Sequence, residues 1–303
     1  MNNRLFHSNR GKIILFLSLT VISLFLFGNE LKDLIGLVLK NSAYTHIGVI
    51  PIVSGYFLWW SRDSFKNENG HVISGLIVLT IGVMITFLSI FIKSNDPVLS
   101  VSIKSAGTVF VIYGAFIVCW GWFGFKKVLF PLIILILAVP MPKMVLDGII
   151  WFLQWGSAVM VNGMYILLGQ AYVREGIEFH LNKISISIAP ECSGIRSTMA
   201  LIITGAVAVE MFLKTNWLKT GMLLLVIPFS LLKNAIRIVT ITMLAEYVDT
   251  AFLTDSFLHH SGGIFFYLIV LAIYFPFLIF LAKVEKNREK EKTISVEKNF
   301  PTI

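Results

Sequence analysis

LKTGMLLLVIPFSLLKNAIRIVTITML, residues 218–244, is the stretch that decides the fold class of this chain. It is apolar over a length matching a bilayer's hydrocarbon core, about 30 Å or roughly 20 helical residues. In lipid a backbone satisfies its own hydrogen bonds only as a helix or a closed barrel, so the stretch reads as a spanning helix. Apolar stretches of the same kind fall near residues 13–28, 44–60, 72–92, 105–124, 127–140, 193–213 and 260–282. Together they predict an all-α polytopic integral membrane bundle of about eight spans.

Composition agrees. Of 303 residues 56% are hydrophobic and 14% charged, with a mean hydropathy of +0.82, which leaves too little polar surface to wrap a water-soluble core. The net charge of +8 sits in short clusters at the ends of apolar runs. It does not lie along one helix face among base-stacking aromatics, so the charge marks orientation and excludes a nucleic-acid surface. The two cysteines, Cys119 and Cys192, lie far apart and form neither a disulfide framework nor a paired metal motif. No Ala-x-Ala cleavage site follows the first apolar run, which is read as an uncleaved span.

Lys and Arg mark cytoplasmic ends. Arg4, Arg10 and Lys12 hold the N-terminus inside; Arg62 with Lys66, Lys126 with Lys127, and Lys214 with Lys219 mark later cytoplasmic turns. Lys286, Arg288, Lys290 and Lys292 make residues 283–303 a basic cytoplasmic tail behind a single multi-spanning domain over 1–282. This alternation holds for eight spans only if the apolar stretch Met144–Gly169, which carries Asp147, Gln154 and Asn162, enters and leaves on the outer side. It is therefore expected to be re-entrant or interfacial. Glu178 to Leu181 and Lys183 to Ile188 alternate polar and apolar with period two, which predicts a small extracytoplasmic strand or hairpin.

The informative residues are the polar ones that are expensive in lipid. In Ala189-Pro190-Glu191-Cys192-Ser193-Gly194-Ile195-Arg196-Ser197, Pro190 and Glu191 resemble a helix start. The expectation is a Cys192 thiol in a first helical turn, favoured as thiolate by the helix dipole. Arg196 at i+4 would share its face. Cys119, among Ile117, Val118 and Trp120, reads as a small packing hydrophobe. Lys233, Asn234 and Arg237 interrupt the opening stretch and suggest a hydrated cavity, with Arg237 about 27 Å along the helix from Lys219, near the outer interface. His259 and His260 stand at the outer start of the last span. Adjacent helical histidines diverge, and no third ligand stands at a helical spacing, so no metal site is expected. The charge-based topology places Cys192, Arg237 and His259 at one depth on one side. A nucleophile, a fixed cation and an acid/base are the parts acyl transfer needs.

Three motifs carry a resemblance. Glu191-Cys192-Ser193-Gly194, Asn234-Ala235-Ile236-Arg237, and His259 with Gly263 and Phe265-Phe266-Tyr267 behind it are similar, in order and spacing, to the motifs of the exosortase/archaeosortase family of membrane transpeptidases. The match covers residues from Pro140 onward. By this resemblance residues 141–282 form the catalytic half, with spans of 1–140 ahead of it. Cys192, Arg237 and His259 are the expected catalytic residues, and Glu191, Ser193, Arg196, Asn234 and His260 would support them. The Gly263 spacing favours His259 over His260.

The resemblance implies substrates that are secreted proteins with a C-terminal sorting tail: a short Pro-containing motif, an apolar helix and a basic end. Cleavage and transfer to a glycan or lipid acceptor at the outer face of the cell membrane would need no cofactor or metal. A transporter or polysaccharide-export component is the rival from another class, and it predicts an inverted repeat and charges along the membrane's depth. A structural partner for envelope assembly is a second rival.

Overall fold

Long apolar runs make helices here, and Pro228 and Pro276 are carried inside two of them. The computed structural model describes residues 9–26, 28–89, 91–92, 96–253 and 257–299, with backbone alone at 25–26, 28–31, 42, 257–262 and 292–299. The described chain is mostly helical and divides into two units, residues up to 146 and residues from 147 on.

In the first unit the helices are α1 (Asn9–Leu26), α2 (Gly28–Lys40), α3 (Ile50–Trp60), α4 (Arg62–Phe65), α5 (Val72–Leu88), α6 (Pro97–Lys127) and α7 (Leu129–Leu135). Helices α5 and α6 approach backbone to backbone through small residues. A Cβ on Gly82 would stand 2.7 Å from the Gly107 carbonyl oxygen, and one on Gly114 would stand 2.5 Å from the Leu79 nitrogen. Such close approach is how helices associate in lipid, where apolar side chains gain little by leaving the solvent. Beside them Phe65, Phe116, Cys119, Trp120 and Leu132 form a buried aromatic cluster.

The second unit holds most of α8 (Lys143–Leu168), a sheet of β1 (Val173–Glu175), β2 (Glu178–His180) and β3 (Ser185–Ser187), and helices α9 (Ile195–Phe212), α10 (Asn216–Tyr247) and α11 (Phe257–Asn299). The sheet is antiparallel in the order β1-β2-β3. Gly176, at φ +64°, opens the two-residue turn between β1 and β2, a position that suits glycine. Phe179 of β2 is fully buried with Tyr165, Ile188, Ala235 and Val239, which fastens the sheet to α8 and α10. A second core of Leu201, Val209, Met222, Val226, Tyr274 and Leu278 joins α9, α10 and α11. Glu285 accepts from the backbone N–H groups of Lys214 (3.1 Å) and Thr215 (2.6 Å), which ties the turn just ahead of α10 to α11.

Among the described residues five helical segments are long and apolar enough to cross a membrane: Pro97–Lys127, Lys143–Leu168, Pro190–Phe212, Asn216–Tyr247 and Gly263–Glu291. The chain is a multi-pass membrane protein, and its eight apolar stretches do not become eight long helices. The stretch 44–60 divides into a 3-10 turn, Ser42–Gly48, and the 11-residue α3, whose Pro51 stands in the first turn. The stretch 127–140 yields the 7-residue α7 and a short 3-10 turn. Helix α5, at 17 residues, reaches only about 26 Å. The stretch expected to be re-entrant or interfacial is one continuous 26-residue helix, α8, about 39 Å long, which is long and apolar enough to cross.

Candidate active site

The cysteine motif folds differently from a helix start. Pro190–Ser193 is a separate 3-10 turn, in which the Cys192 N–H donates to the Ala189 carbonyl at 2.8 Å. Gly194, at φ +75°, then turns the chain, and α9 begins at Ile195. Cys192 therefore precedes the helix it was expected to enter. The left-handed residue between them breaks the i,i+4 relation, so Arg196, which is exposed, does not share a helical face with Cys192. Ser193 is buried and its hydroxyl accepts from Ile195 N–H at 3.4 Å, while Glu191 is exposed.

The turn is held from α10 and α8. Asn234, buried to 2% exposure, donates through Nδ2 to the Cys192 carbonyl (2.9 Å) and to Ser157 Oγ (2.9 Å). Its other face lies against Gly194, where a Cβ would stand 2.9 Å from Asn234 Oδ1. Gln154, one turn before Ser157 on α8, donates to the Ile188 carbonyl at 2.6 Å. The Gly194 carbonyl accepts from Thr198 N–H (2.9 Å), Thr198 Oγ1 (2.9 Å) and Ser197 Oγ (3.0 Å). Lys233, also 2% exposed, hydrogen-bonds Ser197 Oγ. In an apolar interior a buried polar group without a partner costs about 1–3 kcal/mol, so these bonds favour one path for the chain around Cys192.

Cys192 is half-buried and carries a free thiol. Together with Arg237 it lines a cavity of about 280 Å³, walled by β3 on one side and by Ile238, Ile241 and Thr242 of α10 on the other, with Leu253 beside them. Arg237 lies one helical turn beyond Lys233 and three residues beyond Asn234. One helix thus holds the cysteine turn through Asn234 and contributes Arg237 to the cavity that Cys192 also lines. Such a pairing can place a nucleophile and a fixed positive charge on one substrate carbonyl. His259 and His260 begin α11, and their side chains lie outside the described residues.

The profile of the transmembrane exosortase family matches residues 38–276. The chain belongs to that family. The match begins about a hundred residues ahead of Pro140, where the resemblance by motifs starts, so the exosortase-like region includes most of the first unit. No curated protein and no solved structure matches the chain.

Three residues of this site were not among the expected ones. Gln154 and Ser157 reach the cysteine turn from α8, and their signal was available, since polar side chains three apart in an apolar helix lie on one face. Glu246 is buried near the end of α10, where its carboxylate accepts from Lys183 N–H at 3.1 and 3.2 Å while Lys183 Nζ donates to the Glu246 carbonyl at 3.1 Å. It ties the β2–β3 turn to α10.

Proposed function

We propose that this exosortase-family protein is a cysteine transpeptidase that cleaves the C-terminal sorting tail of secreted proteins and passes them to a surface acceptor. The observation that carries the reading is the shared cavity of Cys192 and Arg237. The Cys192 thiolate attacks the scissile carbonyl, and Arg237, a cation that does not deprotonate, stabilises the oxyanion that forms. His259 protonates the leaving amine as the C–N bond breaks, leaving a thioester on Cys192 and releasing the tail. An amine or hydroxyl of a glycan or lipid acceptor then attacks the thioester and gives its proton to His259, and the C–S bond breaks to release the Cys192 thiolate. Water in that role gives hydrolysis. The site opens on the outer side of the membrane, where a tail helix arrives by lateral diffusion.

The test is co-expression with a secreted reporter that ends in a Pro-containing motif, an apolar helix and a basic end. Wild type is expected to shorten the reporter, and Cys192→Ala to leave it full length. Equal shortening by both would remove the enzyme reading and favour a transport or export role.

A further inference from the structure

The register of the sheet leaves one edge unused beside the thiol. Leu181 N–H donates to the Ile184 carbonyl (2.8 Å) and Ile188 N–H to that of Ile177 (3.2 Å), which fixes the hydrogen-bonded pairs of β2 and β3 at Ile177/Ile188, Phe179/Ile186 and Leu181/Ile184. The backbone groups of Ser185 and Ser187 therefore point away from β2. The Ser187 carbonyl is taken by Ala189 N–H at 2.9 Å. That leaves the Ser185 N–H and C=O and the Ser187 N–H, and among the described residues none of the three has a hydrogen-bond partner. β3 is a terminal strand of the sheet, and residues 185–189 line the cavity that holds Cys192 and Arg237.

The opposite wall supplies no partner for this edge. β3 and α10 are fastened at two points, Lys183 to Glu246 and Cys192 to Asn234. Between those points α10 advances about 18 Å and the strand from Lys183 to Ile188 about 17 Å, so the two run alongside each other. The cavity lies between the ties, lined from α10 by Arg237, Ile238, Ile241 and Thr242. A helix satisfies its own backbone, so α10 does not complete the ladder. An exposed strand edge of unpaired N–H and C=O groups is a template for one more strand.

We propose that the substrate segment carrying the scissile bond binds in extended form as a fourth strand on β3, between β3 and α10, and runs to Cys192. This rests on the peptide-cleaving reading above. Main-chain bonds to Ser185 and Ser187 hold the segment without regard to its sequence. Its alternate side chains meet Ile186, Ile238, Ile241 and Leu253, which selects small or apolar residues at every second position. A substrate that entered as a helix would leave the β3 edge unpaired.

Two experiments with the tail-bearing reporter test this. Ser187→Pro deletes the outward N–H, and proline is tolerated where a strand's N–H faces away from its neighbour. It is expected to slow processing about tenfold, the worth of one backbone hydrogen bond. In the second, Ser185→Cys is combined with Cys192→Ala to hold uncut reporter, and single cysteines are moved through the reporter's motif. Disulfide cross-linking is expected at alternate positions, the period of a strand. This readout needs no turnover, so it remains decisive if Ser187→Pro fails to fold. Cross-links recurring every three to four residues, or none at all, would overturn the docking edge, as would wild-type processing by Ser187→Pro. Equal processing by wild type and Cys192→Ala would instead overturn the enzyme reading.

Discussion

The two cysteines report two different interiors in one chain. Cys119 is 1% exposed among Phe65, Phe116 and Trp120, in a unit whose helices close on one another through glycines. Cys192 is half-buried on a 3-10 turn that is tied by Asn234 and opens into a cavity shared with Arg237. The first thiol fills space, and the second is presented. What separates them is the setting: aromatic rings enclose Cys119, whereas Cys192 lies at the edge of an apolar cluster, on a turn whose carbonyl is held by the Asn234 amide and beside a cavity that Arg237 also lines. Burying those polar groups is costly in lipid, which is why they are the informative positions.

The sharpest way to break the comparison is to remove each thiol. Cys192→Ala is expected to lower reporter processing by about 10³-fold or more, as loss of a nucleophile does. Cys119→Ala is expected to leave it unchanged, measured by the fraction of reporter shortened. Maleimide labelling of membranes carrying wild type should modify Cys192 before denaturation and Cys119 only after it. Native labelling of Cys119 would erase the contrast.

Arg237 comes next. Arg237→Gln is expected to lose about 10²-fold in processing rate, the scale of a deleted oxyanion donor, and Arg237→Lys should not restore it, since an ammonium lacks the planar fork. Full activity of either variant would separate the guanidinium from the thiol. Smaller effects follow at the supports. Gly194→Ala puts a Cβ 2.9 Å from Asn234 Oδ1 at a residue with φ +75°, and is expected to cost about 1–2 kcal/mol, read as a lower unfolding midpoint in detergent. The smallest effect is expected at the far tie. Glu246→Gln keeps one acceptor for Lys183 N–H and should cost about 1 kcal/mol or less by the same assay.

Much of the site could be read from residue chemistry alone. Cys192, Asn234 and Arg237 stood out because each is polar in an apolar setting, and the alternation over 178–188 announced strands that form two-thirds of the sheet. Other features depended on geometry that hydropathy does not carry. Nothing in the apolarity of 44–60 or 127–140 says that their helices stop short, because hydropathy measures affinity for lipid and not helical continuity. The 3-10 turn at Pro190–Ser193 depends on Gly194 taking a positive φ, and glycine is compatible with several paths. The charge alternation that made α8 re-entrant or interfacial rested on eight spans, and among the described residues five helical segments are long and apolar enough to cross. Gln154 was visible as a polar residue on that helix, but its partner, a carbonyl 34 positions away, was not.

The most direct test of the account is capture of the covalent intermediate. Wild type incubated with the tail-bearing reporter, quenched in acid and separated without thiol reductant, is expected to show the reporter's N-terminal fragment joined to the enzyme. Hydroxylamine should release that adduct, and peptide mapping should place it on Cys192. Processing that proceeds with no such adduct, or an adduct mapped to any other residue, would contradict the claim that the Cys192 thiol is the nucleophile.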